Sequence, residues 1–517
     1  MIKVSVIVPV FNPGANIDQC IASLLDQSLA PSDYEVIFVD DGSTDATPAR
    51  LDALAAEHAH VRVAHIPNSG WPGRPRNVGL DMARGDFVYF VDNDDWITRD
   101  ALERMHAMAV QDEADIVIGK VVGHGKYVPP GLFRSNLHNV SLRDAPLVAL
   151  LSPHKLFRRS FLDAVGLRFP EGRRRLEDHV FVMRAYFATD RTSVLADHPC
   201  YHWVRRGDTT ASASAWDPVM YYAAVREVLD IVDEHTEPGP FRDDLYLRWY
   251  RAKTLGRVGG SRSPLTKRDH AWQRTVFDEV RSIVLDRFGA VPDELLSFNE
   301  RIRVALVRAG DFDAVLALAR FEIELGARGR LDHTGRDGDR TVMGLTLRLL
   351  AGRHPLRFRR DGERLLWVPP AGIASRIPAT LLDATDDIET SWGQVLVRST
   401  TSKTQYLIPS RTTTQVVDAG DGTIEVQLAL EARLADVRGA AGRPLKPGDY
   451  DHPLSAHIAG FTGDGVARRR PGLPPLATIV DAAGRPRLAT TSPRAAALGL
   501  ARRMPRVARA AKRVGGR

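Results

Sequence analysis

The sequence has very little cysteine and no long apolar run among its 517 residues. Its two cysteines, Cys20 and Cys200, exclude a disulfide framework and a zinc site of four cysteines. No apolar stretch reaches the roughly 18 residues that a membrane-spanning helix requires. The N-terminus continues directly into an apolar strand, without the small-residue cleavage site of a signal peptide. These absences predict a cytoplasmic protein from a reducing compartment.

Acidic residues are absent from residues 485–517, which contain nine arginines and one lysine. Because the whole chain has a net charge of +6, the other 484 residues together carry −4. The positive charge is a property of this tail, so the body of the protein is not expected to bind nucleic acid. The tail itself has two interpretations: a basic amphipathic helix on an anionic membrane, or a solvated, disordered extension.

The hydrophobic pattern divides the chain into four parts. Strand and helix patterns alternate up to Val121, which predicts a mostly parallel sheet with helices on both faces. A largely helical pattern follows over residues 176–330, and short strand-like runs begin near Gly338. We therefore predict a Rossmann-like α/β domain at 1–215, a helical linker at 216–335, a β-sandwich-like domain at 336–470 and a basic tail at 471–517.

Polar residues follow two of the predicted strands at the point where each strand ends. Asp41 comes soon after Tyr34–Val39, and Asp92 and Asp94 come after Phe87–Val91. In sheets of this kind, ligands bind outside the carboxyl ends of the strands. Two carboxylates at this spacing can reach one Mg²⁺ or Mn²⁺ and leave positions open for phosphate oxygens. An isolated pair of this kind also fits a solvated acidic turn.

Three further segments contain residues suited to nucleotide binding or catalysis. Asp41 can accept a hydrogen bond from the imide N–H of a uracil ring. The Gly- and Pro-rich segment Asn68–Gly79 lets backbone approach a ligand, and its Arg76 can face a base or a phosphate. Glu177 and Asp178 open a helix, where a carboxylate can take a proton from a hydroxyl group and where the helix dipole should lower its pKa. Taken singly, each segment also has a purely structural interpretation. The segment at Asp41 fits a capped turn, Asn68–Gly79 fits a plain loop, and Glu177 and Asp178 fit a helix start that acidic residues stabilise.

Together and in this order, the segments resemble family 2 glycosyltransferases of the GT-A fold over roughly residues 1–215. The matching stretches are VSVIVPVFN at Val4–Asn12, VDDGSTD at Val39–Asp45, RNVGL at Arg76–Leu80, FVDNDDW at Phe90–Trp96 and the Glu-Asp pair at 177–178. The resemblance implies an inverting transfer from a UDP-sugar, with Asp178 as the catalytic base beside Glu177. It implies nucleotide-sugar contacts for Pro9, Asp41, Asn68, Arg76 and Asp92.

The same resemblance implies a divalent cation, Mn²⁺ or Mg²⁺, held by Asp94 with Asp92 nearby. The segment Tyr201–Arg206 looks like the one that follows the last strand of the family's catalytic domain. His202 would then complete the metal shell and Arg206 would hold the diphosphate. A packed strand end fits this segment equally well.

A GT-A domain, a helical linker and a β-rich region resemble, in that order, the glycosyltransferases that decorate the poly(ribitol phosphate) of wall teichoic acid. In those enzymes the β-rich part supports trimer formation. The resemblance implies an anionic or polyol-phosphate glycan acceptor, a homotrimer and a place at the inner face of the cell membrane. A basic cluster flanking the predicted base suits a phosphate-rich acceptor, although unliganded surface arginines fit it as well: Lys155, Arg158, Arg159 and Arg173–Arg175.

Two alternatives stay open at this point. The first keeps the enzyme class and changes the acceptor to a capsular, exopolysaccharide or lipid-linked oligosaccharide. The second is a non-catalytic scaffold at a membrane surface, in which the tail and the β-rich region matter most. The joint presence of Asp92, Asp94 and Asp178 argues against the scaffold.

Overall fold

The computed structural model describes residues 1–124, 128–204, 216–260, 263–337, 340–401, 405–434, 437, 445, 447–468, 477–481 and 486–488. The chain divides into two compact units. The first unit contains Met1–Val258, Pro264–Leu296 and Val307–Phe312, and the second contains Gly259–Ser263, Ser297–Leu306 and Asp313–Arg517. Among the described residues, none of the helices combines the length and the apolar character that crossing a bilayer requires.

A mixed sheet of nine described strands forms the centre of the first unit. Its strands are β1 (Val4–Val10), β2 (Tyr34–Asp40), β3 (Val61–His65), β4 (Phe87–Phe90), β5 (Trp96–Ile97), β6 (Ile116–His124), β7 (Leu137–Val140), β8 (Leu156–Arg158) and β9 (Thr192–Val204). The order is β3-β2-β1-β4-β8-β6-β9-β5, and β7 pairs with β9. Every residue of β1 is buried, as its continuous apolar run predicted: β2 and β4 pair with its two edges, and the helix Gly73–Met82 packs on one face at Ile7.

Six helices accompany this sheet: α1 (Asp18–Leu25), α2 (Thr47–Glu57), α3 (Gly73–Met82), α4 (Ala101–Gln111), α5 (Arg159–Ala164) and α6 (Glu177–Phe187). Helix α3 packs against β1 at Gly79, where an added Cβ would lie only 2.3 Å from Cγ2 of Ile7. A side chain at position 79 would therefore push α3 away from the sheet. Ser43 and Thr44, which precede α2, hydrogen-bond with Asn12 rather than with the first turn of the helix.

The region predicted to be largely helical contains helices at the expected places, the long strand β9, and the first residues of β10 (Leu325–Asp337). Its helices are α7 (Pro218–His235), α8 (Pro240–Trp249), a π-helical turn (Tyr250–Leu255), α9 (Gly256–Val258), α10 (His270–Arg287), α11 (Phe298–Ala309) and α12 (Phe312–Glu324). Asp217 and Asp269 cap α7 and α10 by accepting backbone N–H bonds of 2.9 Å each. The helical prediction was wrong for β9 because Asp197, His198 and Pro199 interrupt its alternation; opposite them, the register of β6 shifts.

Parallel pairing of β1, β2 and β4 brings their carboxyl ends to one edge of the sheet. Val10 of β1 lies opposite Asp40 of β2, and Ile7 lies opposite Phe90 of β4. The residues that follow these strands therefore share this edge, which is where the candidate site lies.

The second unit is strand-rich, as predicted, and its described strands form one connected network. They are β10 (Leu325–Asp337), β11 (Arg340–Ala351), β12 (His354–Pro355), β13 (Arg357–Asp361), β14 (Arg364–Trp367), β15 (Trp392–Ser399), β16 (Gln405–Leu407), β17 (Ser410–Asp418), β18 (Ile424–Arg433), β19 (Gly448–Asp451), β20 (Pro453–Ile458), β21 (Phe461–Arg468), β22 (Ala477–Val480) and β23 (Pro486–Leu488). Two short helices, α13 (Ala371–Ala374) and α14 (Thr385–Glu389), interrupt them. Alternating buried positions on β18, including Val426, Leu428 and Leu430, show the period of two that the sequence displays.

Candidate active site

Residues at the ends of β1, β2 and β4 meet at the sheet edge. Backbone N–H of Asp41 donates to the carbonyl of Val10 over 2.8 Å, which fixes the exit of β2 beside that of β1. The side-chain amide of Asn93 donates to the carbonyl of Pro9 over 3.0 Å, which ties the exit of β4 to the same place. Pro9, Asp41 and Asp92 therefore belong to one rim, as the sequence predicted for the carboxyl ends of the strands.

Asp41 fastens the loop that contains Asn68. The backbone N–H and hydroxyl of Ser69 donate to the two carboxylate oxygens of Asp41 over 2.8 and 3.0 Å. The Asn68 side chain donates to the backbone carbonyl of Asp41 over 2.8 Å. Gly42 has a left-handed φ of 72°, and a Cβ there would lie 2.7 Å from the backbone nitrogen of Asn68. Glycine at 42 is therefore required both for the turn and for this close approach.

Arg76 connects two of the predicted site segments. It lies on α3, is 4% exposed, and donates to Oδ1 of Asp92 over 3.0 Å and to Oε1 of Glu177 over 3.1 Å. The indole N–H of Trp71 donates to the other oxygen of Glu177 over 2.8 Å. Both oxygens of Glu177 thus accept hydrogen bonds, and this residue links Trp71 and Arg76 to the start of α6.

The second oxygen of Asp92 contacts a histidine that the sequence did not single out. Nε2 of His154 lies 3.0 Å from Oδ2 of Asp92, and its ring stacks on Tyr201 at a centroid distance of 4.1 Å. The Tyr201 hydroxyl donates to Asp95 over 2.6 Å. Burial alone would raise the pKa of Asp92, but His154 and Arg76 outweigh it and hold this pKa below its usual range. Asp92 is therefore ionised at neutral pH.

The acidic loop after β4 fits a divalent cation. Asp92, Asp95 and His154 offer ligand atoms that all lie within 4.8 Å of one another. Burial, with Asp92 and Asp94 nearby, raises the pKa of Asp95 to about 8, so ionising this carboxyl group is costly unless a cation lies beside it. Carboxylates and an imidazole are ligands that Mn²⁺ accepts, and a cation would lower this cost.

His202 lies near the end of β9. The resemblance placed its segment after the last strand, but the structure places His202 within that strand. Its ring stacks on Trp96 at 3.4 Å, and its Nδ1 lies 2.8 Å from Nε2 of His124. Burial, helped by His124, lowers the pKa of His202 to about 3, so the ring is neutral. Its Nε2 is buried and has no hydrogen-bond partner within the described part of the chain. Arg206, the predicted diphosphate contact, lies outside the described residues.

Asp178 stands in the first turn of α6 and keeps part of its surface open to solvent. One of its oxygens accepts the backbone N–H of His179 over 2.8 Å. The expectation that the helix dipole would lower its pKa was wrong: burial, reinforced by the charge of Glu177, raises the pKa of Asp178 to about 7. A carboxyl group with this pKa can accept a proton near neutral pH.

Of the predicted basic cluster, Lys155 lies near Asp178 and Arg175 acts on the neighbouring Glu177, whereas Arg174 pairs with Glu227. Arg158 bonds to the carbonyl of Ala114 and Arg159 to that of Gly85, so neither is a free cation of the site. Lys155 is buried beside Asp178 and donates to the carbonyl of Ser152. Lys253, on the π-helical turn, and Arg248, on α8, also act on Asp178, and the sequence gave no signal for either.

Two family profiles match this chain. The profile of Glycosyl transferase family 2 matches residues 5–165, and that of the Glycosyl transferase TarS linker domain matches residues 218–319. The crystal structure of Staphylococcus aureus TarS 1–349 in complex with UDP-GlcNAc superposes with a TM-score of 0.55 and 27% identity, over 68% of this chain and 98% of that one. The predicted GT-A fold is thereby confirmed.

Curated relatives resemble the N-terminal part of the chain. The poly(ribitol-phosphate) beta-glucosyltransferase of Bacillus spizizenii is 35% identical over 232 residues, 44% of this chain and 37% of the relative. The poly(ribitol-phosphate) beta-N-acetylglucosaminyltransferase TarP of Staphylococcus aureus is 31% identical over 234 residues, 44% of this chain and 71% of the relative. The chain thus spans less than half the length of the Bacillus relative and most of TarP. It belongs to glycosyl transferase family 2, with poly(ribitol-phosphate) glycosyltransferases as its relatives.

Proposed function

We propose that the protein is an inverting glycosyltransferase that moves a sugar from a UDP-sugar to a hydroxyl group of a polyol-phosphate polymer. The observation that carries this proposal is the path of hydrogen bonds from Glu177 through Arg76 to Asp92. Glu177 is the sequence neighbour of Asp178, a partly exposed carboxyl group whose pKa is raised to about 7. The path connects Glu177 to Asp92, which belongs to an acidic cluster suited to a cation. A base on the acceptor side and a cation on the leaving-group side are what this transfer requires.

In the proposed reaction, Asp178 takes the proton of the acceptor hydroxyl group. The hydroxyl oxygen attacks the anomeric carbon from the face opposite the nucleotide. The bond between the anomeric carbon and the β-phosphate oxygen breaks, and UDP leaves with the bonding electron pair. The configuration at the anomeric carbon inverts because the transfer is a single displacement from the face opposite the leaving group.

The donor would bind at the rim of the sheet. We assign nucleotide-sugar contacts to Pro9, Asp41, Asn68, Arg76 and Asp92, with Arg206 at the diphosphate. Two contacts support this assignment: Asn68 is tied to Asp41 over 2.8 Å, and Arg76 is tied to Asp92 over 3.0 Å. Buried Arg76 would give this rim a fixed positive charge facing the phosphates.

We assign the divalent cation, Mn²⁺ or Mg²⁺, to Asp92 and Asp94, with His202 as a further ligand. Bound there, it would neutralise the charge that develops on the departing diphosphate. The close grouping of Asp92, Asp95 and His154 supports a cation at this place, and Nε2 of His202, which has no partner among the described residues, is the further candidate ligand. His154 would then orient Asp92 through their 3.0 Å contact.

A phosphate-containing acceptor fits the cations beside the base. Lys253 and Arg248 both act on Asp178, and burial next to other cations lowers the pKa of Lys253 to about 8. Gathering cations in this way is costly unless an anion joins them. The names of the relatives, poly(ribitol-phosphate) glycosyltransferases, point to the same chemistry.

The test measures UDP release from UDP-glucose and UDP-N-acetylglucosamine, with Mn²⁺, Mg²⁺ or chelator, in the presence of three acceptors. We expect release with poly(ribitol phosphate) and a divalent cation. Release only with a neutral glycan would favour the capsular or exopolysaccharide alternative, and release only with a lipid-linked oligosaccharide would favour that acceptor. No release with any donor and acceptor would favour the scaffold.

The resemblance also leads us to propose a homotrimer and peripheral binding to anionic membrane at the cytoplasmic face. The basic tail invoked for membrane binding lies mostly outside the described residues. Light scattering after size exclusion would measure the oligomer. Co-sedimentation with phosphatidylglycerol vesicles, compared between the full chain and a chain ending at Gly484, would measure the contribution of the tail.

A further inference from the structure

Trp71 joins the donor loop to the helix that contains the proposed base. It lies just before α3, in the loop that also contains Asn68. Its indole N–H donates to Oε2 of Glu177 over 2.8 Å, and Arg76 donates to Oε1 of the same carboxylate over 3.1 Å. Glu177 is 7% exposed, so these two donors replace the water that would otherwise surround its charge.

The other end of this loop is attached to the nucleotide side of the site. Ser69 donates its backbone N–H to Asp41 over 2.8 Å, and its hydroxyl lies 3.0 Å both from Asp41 and from the carbonyl of Trp71. The guanidinium of Arg175 lies 5.7 Å from the ring of Trp71. Trp71 therefore has fixed neighbours on both sides, and its N–H has a defined direction.

The first turn of α6 depends on such contacts because its own backbone does not favour it. Leu176, immediately before the helix, has a left-handed φ of 62°, which a residue with a branched side chain adopts at a cost. The N-cap residue, Leu176, has an apolar side chain and makes no capping hydrogen bond to the first turn of α6. The bonds that Trp71 and Arg76 make to Glu177 hold this turn in place from outside.

We infer that Trp71 is a positioning residue, which acts through Glu177 to keep the first turn of α6, and with it Asp178, aligned for transfer to the acceptor. This inference rests on the proposed function. The indole N–H of Trp71 donates to Glu177 rather than to Asp178, so we assign Trp71 a positioning role and not a catalytic one. Its effect is expected on turnover rather than on donor affinity.

Trp71 should also influence the charge felt by Asp178. Its N–H offsets part of the negative charge of Glu177, which is among the causes of the raised pKa of Asp178. Without that N–H, the pKa of Asp178 should rise further. Among the described residues, the groups that act on Asp178 include Glu177, Arg76, Lys155, Tyr221, Arg248 and Lys253.

The experiment replaces Trp71 by phenylalanine, which keeps an aromatic ring and removes the donor. We expect kcat to fall about tenfold, as for the loss of a hydrogen bond to a charged group. The donor KM and the Kd of UDP with Mn²⁺ should stay within about twofold, and the acid limb of the kcat profile should move to higher pH. The matched control is Trp272→Phe, since the Trp272 indole donates to a backbone carbonyl, that of Trp216. We expect no change in kcat for this control.

An unchanged kcat and pH profile in Trp71→Phe would overturn the inference. So would a loss of UDP binding equal to the loss of kcat, because Trp71 would then serve the donor. If the phenylalanine variant does not fold, β-(3-benzothienyl)alanine at position 71 keeps the volume of the indole and lacks its N–H. The same outcomes then decide. Failure of the wild-type protein to release UDP with any acceptor would instead overturn the proposed function.

Discussion

Nε2 of His154 lies 3.0 Å from one carboxylate oxygen of Asp92, while Arg76 holds the other oxygen. The side chain of His154 is 3% exposed, and packing fixes its orientation, including the stack of its ring on Tyr201. Asp92 is therefore oriented and ionised by the protein itself. A site arranged in this way loses little orientational freedom when a cation binds to it.

Replacing Asp178 by asparagine should remove the proposed base and keep the shape of the side chain. We expect kcat to fall about 10²- to 10⁴-fold, the usual contribution of a general base. The Kd of UDP with Mn²⁺, measured by calorimetry, should change less than about twofold. Asp190→Asn is the control, since Asp190 follows the same helix and is exposed. Retained transfer in Asp178→Asn would refute its role.

The pH dependence of kcat should follow the ionisation of Asp178. Its raised pKa of about 7 means that the carboxyl group is mostly protonated, and unable to accept a proton, at pH 6. We therefore expect kcat to rise with pH through about 7 and to fall about tenfold per pH unit well below it.

Lys253→Met gives this pH prediction a sharper form. Lys253 lowers the pKa of Asp178, so removing its charge should raise that pKa and move the acid limb to higher pH. Lys267→Met changes an exposed lysine and should leave the profile where it is. An acid limb that stays in place in Lys253→Met would argue against Asp178 as the titrating group.

Two histidine variants should identify the ligands of the cation. His202→Phe keeps the stack on Trp96 and removes Nε2, and we expect Mn²⁺ affinity in the presence of UDP to fall at least about tenfold. The control is His138→Phe, which changes an exposed histidine paired with Asp112. If Mn²⁺ affinity is unchanged in His202→Phe but falls in His154→Phe, His202 is not a ligand of the cation. The ligands would then be Asp92, Asp95 and His154.

The parallel part of the sheet could be predicted because each strand has its own local signal. The buried run of β1 and the polar residues after β2 and β4 are visible in the sequence itself. Strands β8 and β9 could not be found in this way. β8 has only three residues, and β9 contains Asp197 and Pro199 in its middle. Their existence depends on pairing with β4 and β6, which are distant in sequence.

The same strands explain which site residues were missed. His154 comes just before β8 and belongs to no motif near Asp92 in sequence. Tyr201 opens a segment that the sequence did single out, but its contact with Asp95 depends on the placement of β9. The charge of Asp178 could not be predicted either. The sequence shows a helix start, which favours a low pKa, but not the burial that raises it.

In the second unit, a buried ion pair should dominate the local stability. Arg303 and Glu322 bond to each other with side chains 3% and 2% exposed, and Asn299 also donates to Glu322 over 3.2 Å. Glu322→Ala would leave the guanidinium buried without its counter-ion, and we expect the free energy of unfolding to fall by about 3–5 kcal/mol. Urea denaturation, followed by circular dichroism, would measure this. The double variant Arg303→Met/Glu322→Leu removes both charges and should recover most of the loss, because an apolar pair needs no counter-ion. A double variant as unstable as Glu322→Ala would show instead that packing around Glu322, rather than the unpaired charge, determines the effect.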